Sequence, residues 1–258
     1  MRLLKQYMAI CWKTQLEYEL SFVLSFVGQL LNTVIYFVCI NAMFDRFGSL
    51  LDYSRYEVLL AFAAISIGYS INEIFMRGFD LFSRQIISGS FDRLLVRPPS
   101  LILQVIGSDF YFARIGKVLQ SIGVLAYCLY HLPLAWTPAK VLVLVGMVCS
   151  SAFTFAGFFF ISASFCFVTI QGLEIMNILN DGGREAAQYP MGIYPKPFLI
   201  FFTVAMPLAC ANTYPLLYLV DRAPTPLYAL APLWGCFFCV PCAFVWLRMV
   251  RRYLSTGS

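Results

Sequence analysis

The chain has 258 residues, of which 60% are hydrophobic and only 12% charged, with a formal net charge of +5. So little charge excludes an ordinary water-soluble domain, in which about 25% of residues are charged, and matches the sequence to a lipid bilayer as solvent. A single histidine and the absence of G-x-x-x-x-G-K-[ST], H-E-x-x-H and G-x-S-x-G leave no catalytic, metal or cofactor residue to assign.

In chain order, residues 1–19 place Leu4, Tyr7, Met8, Cys11 and Trp12 at helical spacings. They read as an amphipathic interface helix or as the solvated start of the first span. Arg2 and Lys5 resemble the start of a signal peptide, but Lys13, Glu17 and Glu19 interrupt the apolar region such a signal needs. Crossing the hydrocarbon takes roughly 20 apolar residues. Runs that satisfy this predict six spans, at 20–44, 58–79, 118–138, 141–170, 198–220 and 227–247, within one transmembrane domain over 1–258.

The loop at 45–57 is expected outside. Glu73 and Arg77, four apart near the end of the second span, are expected to form a boundary ion pair, with a charged contact in a translocation path as the alternative. Arg84 to Pro99, RQIISGSFDRLLVRPP, then concentrates three arginines, Asp92, Gly89 and a Pro-Pro pair. His131, after the third apolar run, reads as interfacial. The fourth run, Val141 to Leu173, exceeds what a bilayer needs and carries small residues suited to close helix packing. A cytoplasmic loop is expected at 174–196, where Gly182 and Gly183 break the helix and Tyr189, Pro190, Tyr194 and Pro195 give an extended approach to the fifth span. Pro207, Pro215, Pro232 and Pro241 predict kinked or partly re-entrant segments, or ordinary kinks in packed helices. Cys236, Cys239 and Cys242 share a helical face but have no fourth ligand in view, so they read as packing residues.

Six spans put both termini on one side. Of the 18 lysines and arginines, only Arg46, Arg55, Lys140 and Arg222 fall on the other, so the termini are expected in the cytoplasm. The same bias accounts for the positive charge without a nucleic-acid partner.

The text Gly89-Ser-Phe-Asp92-Arg-Leu-Leu95-Val-Arg-Pro98 resembles the first cytoplasmic loop of bacterial permease subunits of ABC transporters of the type-2 integral-membrane family, with its gly-x-x-asp-x-x-leu-x-x-pro pattern. Tyr189 to Pro195, Pro207 and Asn212-Thr-Tyr-Pro215 resemble the same family's approach to and passage through its fifth span. The resemblance implies an all-α membrane protein of six transmembrane helices and half of an ATP-driven exporter of the inner membrane. It also implies a separate ATP-binding subunit and a second permease subunit, identical or paralogous. A cytoplasmic coupling helix between spans two and three would carry Gly89, Phe91, Asp92, Arg93, Leu94, Leu95 and Pro98. Phe91, Leu94 and Leu95 would be its apolar anchors in a groove of the partner; an arginine loop that only sets topology and touches anionic lipid is the competing reading. A stand-alone secondary transporter or channel is the alternative function, for which Gln29, Asn32, Asn72 and Asn212 are few polar groups.

Overall fold

The computed structural model describes residues 2–169 and 173–253, which form helices and turns with no strand among them. Helix α1 (Arg2–Glu17) is separated from α2 (Glu19–Phe47) by Tyr18, and α3 (Arg55–Phe75) starts at a reciprocal capping box between Ser54 and Glu57. Four short helices follow, α4 (Arg77–Asp80), α5 (Phe82–Ile87), α6 (Ser90–Leu95) and α7 (Leu101–Ser108), then α8 (Ile115–His131) and α9 (Pro138–Phe165). The chain continues with α10 (Leu173–Ala187), α11 (Lys196–Val204), α12 (Leu208–Ala211), α13 (Thr213–Leu219) and α14 (Ala231–Val250). Among the described residues, five helical stretches are long and apolar enough to cross a membrane: 19–47, 55–75, 112–131, 138–165 and 226–250. They correspond to the expected spans one to four and six. The third stops at His131 because Leu132, preceding Pro133, is extended.

The bundle has two distinct ends. At the far end, Arg55 pairs with Asp45, Arg222 with Glu57, and Lys140 with Asp221 at 2.7 Å, while His131 stacks on Tyr56. At the near end, where α2 begins and α14 finishes, α6 lies across the ends of α9 and α14. There the Phe91 ring meets Phe167 at 5.7 Å and Tyr253 at 5.4 Å.

The structure corrects the expected fifth crossing. Residues 174–196 are not a loop at the near end. α10 enters the bundle beside α9, where Asn180 Nδ2 donates to Ser162 Oγ at 2.9 Å. It passes Tyr69 of α3 and Tyr36 of α2, and the chain reaches the far end, where Gly192 sits against the Tyr53 hydroxyl. Tyr189, Pro190, Tyr194 and Pro195 therefore share an end with the 48–54 loop, opposite to the side expected. The apolar run read as the fifth span instead dips back: α11 and the α12–α13 segment are bent by 82° at Ala205–Pro207. Both arms return to the far end, the second through Lys140–Asp221. Pro207 removes a donor and clashes with the preceding turn, and side chains take up the freed backbone groups. Asn212 Nδ2 donates to Tyr189 O at 2.9 Å, and the Met191 amide donates to Thr213 Oγ1 at 2.6 Å.

Gly182 and Gly183 do not break α10, which is a second correction. A Cβ at Gly183 would lie 3.2 Å from Met206 Cε and 3.3 Å from Leu208 Cδ1, so this glycine admits the tip of the re-entrant hairpin. In α14, Pro241 leaves the helix continuous.

α9 sits between α3 and α14 and meets both through small residues. Ser151 Oγ donates to Ala64 O at 3.1 Å on one side, and Gly235 faces Ser150 and Thr154 on the other. A Cβ on Gly68 would collide with the Ser151 side chain and the Ala152 backbone nitrogen. Gly68→Ala is therefore expected to cost about 1 to 3 kcal/mol by overpacking, whereas Gly123→Ala, whose Cβ meets nothing within 4 Å, is expected to be neutral or stabilising. Thermal denaturation midpoints of the two purified variants check this; equal midpoints would contradict it.

Candidate functional site

Once α10 is inside the bundle, charges far apart in sequence converge on one polar seam between α2, α3, α8 and α10. Ser25, Gln29, Asn32 and Tyr36 fall at spacings of four, three and four along α2, which sets them on one face. Arg114, at the start of α8, donates to Gln29 Oε1 and pairs with Glu73 of α3 at 2.6 Å. Lys117, one turn further, lies 3.8 Å from Glu73 and 5.5 Å above the Tyr69 ring. From α10, the Arg184 guanidinium stacks over the other groups' shared neighbour, Tyr69, at 4.9 Å and pairs with Glu185. Glu185 Oε2 accepts from Tyr36 Oη at 2.9 Å and from Gln188 Nε2 at 3.1 Å, and Tyr69 Oη donates to Asp181 Oδ1 at 3.3 Å. A void of about 10 Å³ among Asn32, Tyr36, Tyr69, Lys117, Arg184 and Gln188 has room for about one water.

Charges at membrane depth are rare and turn toward a bundle interior or a water-filled cavity, where they mark pathways and relays. The expected Glu73–Arg77 pair is not present: Arg77 pairs with Asp80, and Glu73 turns to Arg114 and Lys117. The i,i+4 spacing lost because the helix ends at Phe75 and Met76 redirects the chain before Arg77.

The loop singled out from the sequence forms a second feature at the near end. Gly89 joins α5 to α6 with φ +64°, in the left-handed region that other residues enter at a cost of about 1 to 2 kcal/mol. Beyond α6, buried Gln104 donates to Leu94 O at 3.2 Å and to Pro99 O at 2.8 Å, fastening the loop to α7. A cleft of about 420 Å³ opens beside α6, lined by Arg84, Arg93, Arg97, Gln85, Ser108 and Asp109 among others. The three arginines are exposed, and none is in an ion pair among the described residues. Burial pushes the Asp109 carboxyl above the usual carboxylate range, with Arg77 and Arg84 opposing, and burial does the same at Asp80 against its partner Arg77.

Residues 30–257 match the family model described as ABC-2 family transporter protein. The chain belongs to that family. No curated protein and no solved structure matches it. This is accordingly a multi-pass membrane permease of ABC transporters, a family whose membrane subunits pair with an ATP-binding subunit.

Within the permease, the predicted coupling residues divide. Phe91 is fully buried under Phe82, Phe167 and Tyr253, and Leu94 packs on the same core. Leu95 and Val96 are exposed, Val96 by 84%, together with Arg93, Arg97 and Pro98. Phe91 thus holds the loop onto its own bundle and is not offered to a partner. The seam residues Arg184, Glu185, Gln188 and Asp181 were not singled out from sequence. Their signal was polar text in the register of a helix between two apolar runs, with the most polar positions recurring every three or four residues.

Proposed function

We propose that the permease is the transmembrane subunit of an ATP-driven exporter, forming half of a translocation pathway with a second permease subunit, identical or paralogous. Both termini and the Arg84–Pro99 loop lie in the cytoplasm of a bacterial inner membrane, where a separate ATP-binding subunit docks on the loop. The observation that carries this reading is the position of α6. It is held across the end of the bundle by Phe91 and Gln104, with Leu95, Val96, Arg93 and Arg97 facing away from the core. A short helix with two apolar and two basic side chains outward suits a groove on another protein. The opposed ends differ in the same sense: three of the five cations of the far end, Arg55, Lys140 and Arg222 but not Arg46 or Lys196, are paired with acids among the described residues, while the near end keeps its loop arginines free of ion pairs among them. An excess of basic groups marks the cytoplasmic side.

Co-expression with candidate ATP-binding subunits, followed by purification through a tag on the permease, tests the reading. One subunit is expected to stay bound and to hydrolyse ATP faster in the complex. Leu95→Ala with Val96→Ala is expected to weaken its retention by about tenfold or more, as loss of two contact side chains worth about 1.4 kcal/mol would do, without changing the permease's own melting midpoint. Retention of no ATP-binding subunit, or transport intact in the double variant, would refute the assignment.

A further inference from the structure

The outward face of α10 carries Asn177, Asp181 and Glu185 four residues apart, with Ile178 and Gly182 beside them. Asn177, Asp181 and Gly182 are exposed, although α10 runs through the body of the bundle between Ser162 and Tyr53. Were this face against lipid, an Asp at membrane depth would cost about 2.5 to 3.5 kcal/mol on insertion scales. Water, or polar matter in water, is the environment that removes that cost.

The sign of the face is also fixed by the seam. Its cations are turned inward: the side chain of Lys117 is 7% exposed and that of Arg184 21%, against 41% for Glu185. Arg184 is spent on Tyr69 and Glu185, and Lys117 on Tyr69 and Glu73. What reaches the open side is the Asp181 carboxylate, the part of Glu185 not covered by Arg184, and the Asn177 amide. We propose that the Asn177–Asp181–Glu185 face of α10 lines a water-filled vestibule that attracts cargo bearing positive charge or hydrogen-bond donors. This rests on the transport reading above and adds to it the polarity of what is carried. Such a face concentrates cations by the same focusing that clefts of one charge sign exert on ligands.

Gly182 supplies the reporter, because a Cβ there meets nothing within 4 Å. Membranes containing the full-length Gly182→Cys permease would be treated with membrane-impermeant cationic and anionic methanethiosulfonate reagents, and modification read at that peptide by mass spectrometry. Each rate is normalised to the reagent's rate with free thiol. The expected result is rapid modification, with the cationic reagent favoured by about tenfold, from one or two unit charges acting a few ångströms away in a wet site. The preference should fall to about unity with Asp181→Asn added. If that variant fails to fold, about 1 M salt on the parent reporter, where the Debye length is near 3 Å, should reduce it in the same way. Leu142→Cys, on an exposed apolar face of α9, gives the lipid-facing baseline. Modification of the Gly182 reporter no faster than that baseline would overturn the vestibule, and equal normalised rates with Asp181 intact would overturn its charge. Neither outcome involves the ATP-binding subunit, so failure here is separable from failure of the coupling assignment.

Discussion

Glu73→Ala is expected to destabilise the permease by about 3 to 5 kcal/mol, the loss seen when one partner of a buried ion pair is removed. The glutamate is buried, with Arg114 at 2.6 Å and Lys117 at 3.8 Å, and among the described residues the two cations have no other carboxylate within ion-pair distance. Alanine would leave buried Lys117 and part-buried Arg114 without their shared counter-charge. Glu73→Gln keeps the shape and one acceptor but removes the charge, so it should lie between alanine and the parent. Replacing all three with apolar residues of similar volume should recover most of the loss, because apolar packing commonly matches a buried ion cluster in stability. Melting midpoints of the four proteins in one detergent would show this order. An alanine variant as stable as the parent would mean that Glu73 is not the counter-charge of the seam.

Phe91→Ala is expected to cost about 3 to 5 kcal/mol, the usual range for truncating a buried aromatic. Phe91 has no exposed surface and makes edge-on contacts with Phe82 at 5.0 Å, Phe167 at 5.7 Å and Tyr253 at 5.4 Å. Its loss would release α6 from the ends of α9 and α14 together. The informative comparison is Val96→Ala, five residues along and 84% exposed, which should leave the stability within about 0.5 kcal/mol of the parent, as surface changes do. If Phe91→Ala melts like the parent while losing the ATP-binding subunit, the side chain is a docking anchor after all, as its apolar character in the sequence suggested.

These two residues also show where reading the sequence succeeded and where it stopped. Four crossings before α10, and α14 after it, were legible as long apolar runs, because a helix in contact with lipid announces itself in composition. α10 was not, since its polar side chains are satisfied by Tyr36, Tyr69 and Gln188 and by one another, which a hydropathy window scores as a loop. The converse error was made at 198–220, where apolar composition was equated with crossing. Hydropathy records the environment of a residue and carries no information about the direction of the chain, and the reversal at Ala205–Pro207 depends on Gly183 leaving space for Met206 and Leu208. At the Arg84–Pro99 loop, Gly89 and the short helix after it were readable from local chemistry. Which side of that helix faced inward was not, because Phe91, Leu94 and Leu95 are alike in hydrophobicity, and only contact with Phe167 and Tyr253 from distant parts of the chain sorts them.

The polarity of α10 bears on how the protein comes to be in the membrane at all. Asp181 and Arg184 would each add about 2.5 to 3.5 kcal/mol to the cost of inserting this helix alone, and its 15 residues are too few to offset that with apolar surface. It therefore does not partition as an independent segment. Its charges become tolerable when Tyr69 and Tyr36 are already in place from earlier helices and its open side is wet, and the hairpin that follows packs against Gly183. Insertion and tertiary assembly are then coupled for the last third of the chain, α10 and the hairpin behind it being buried together.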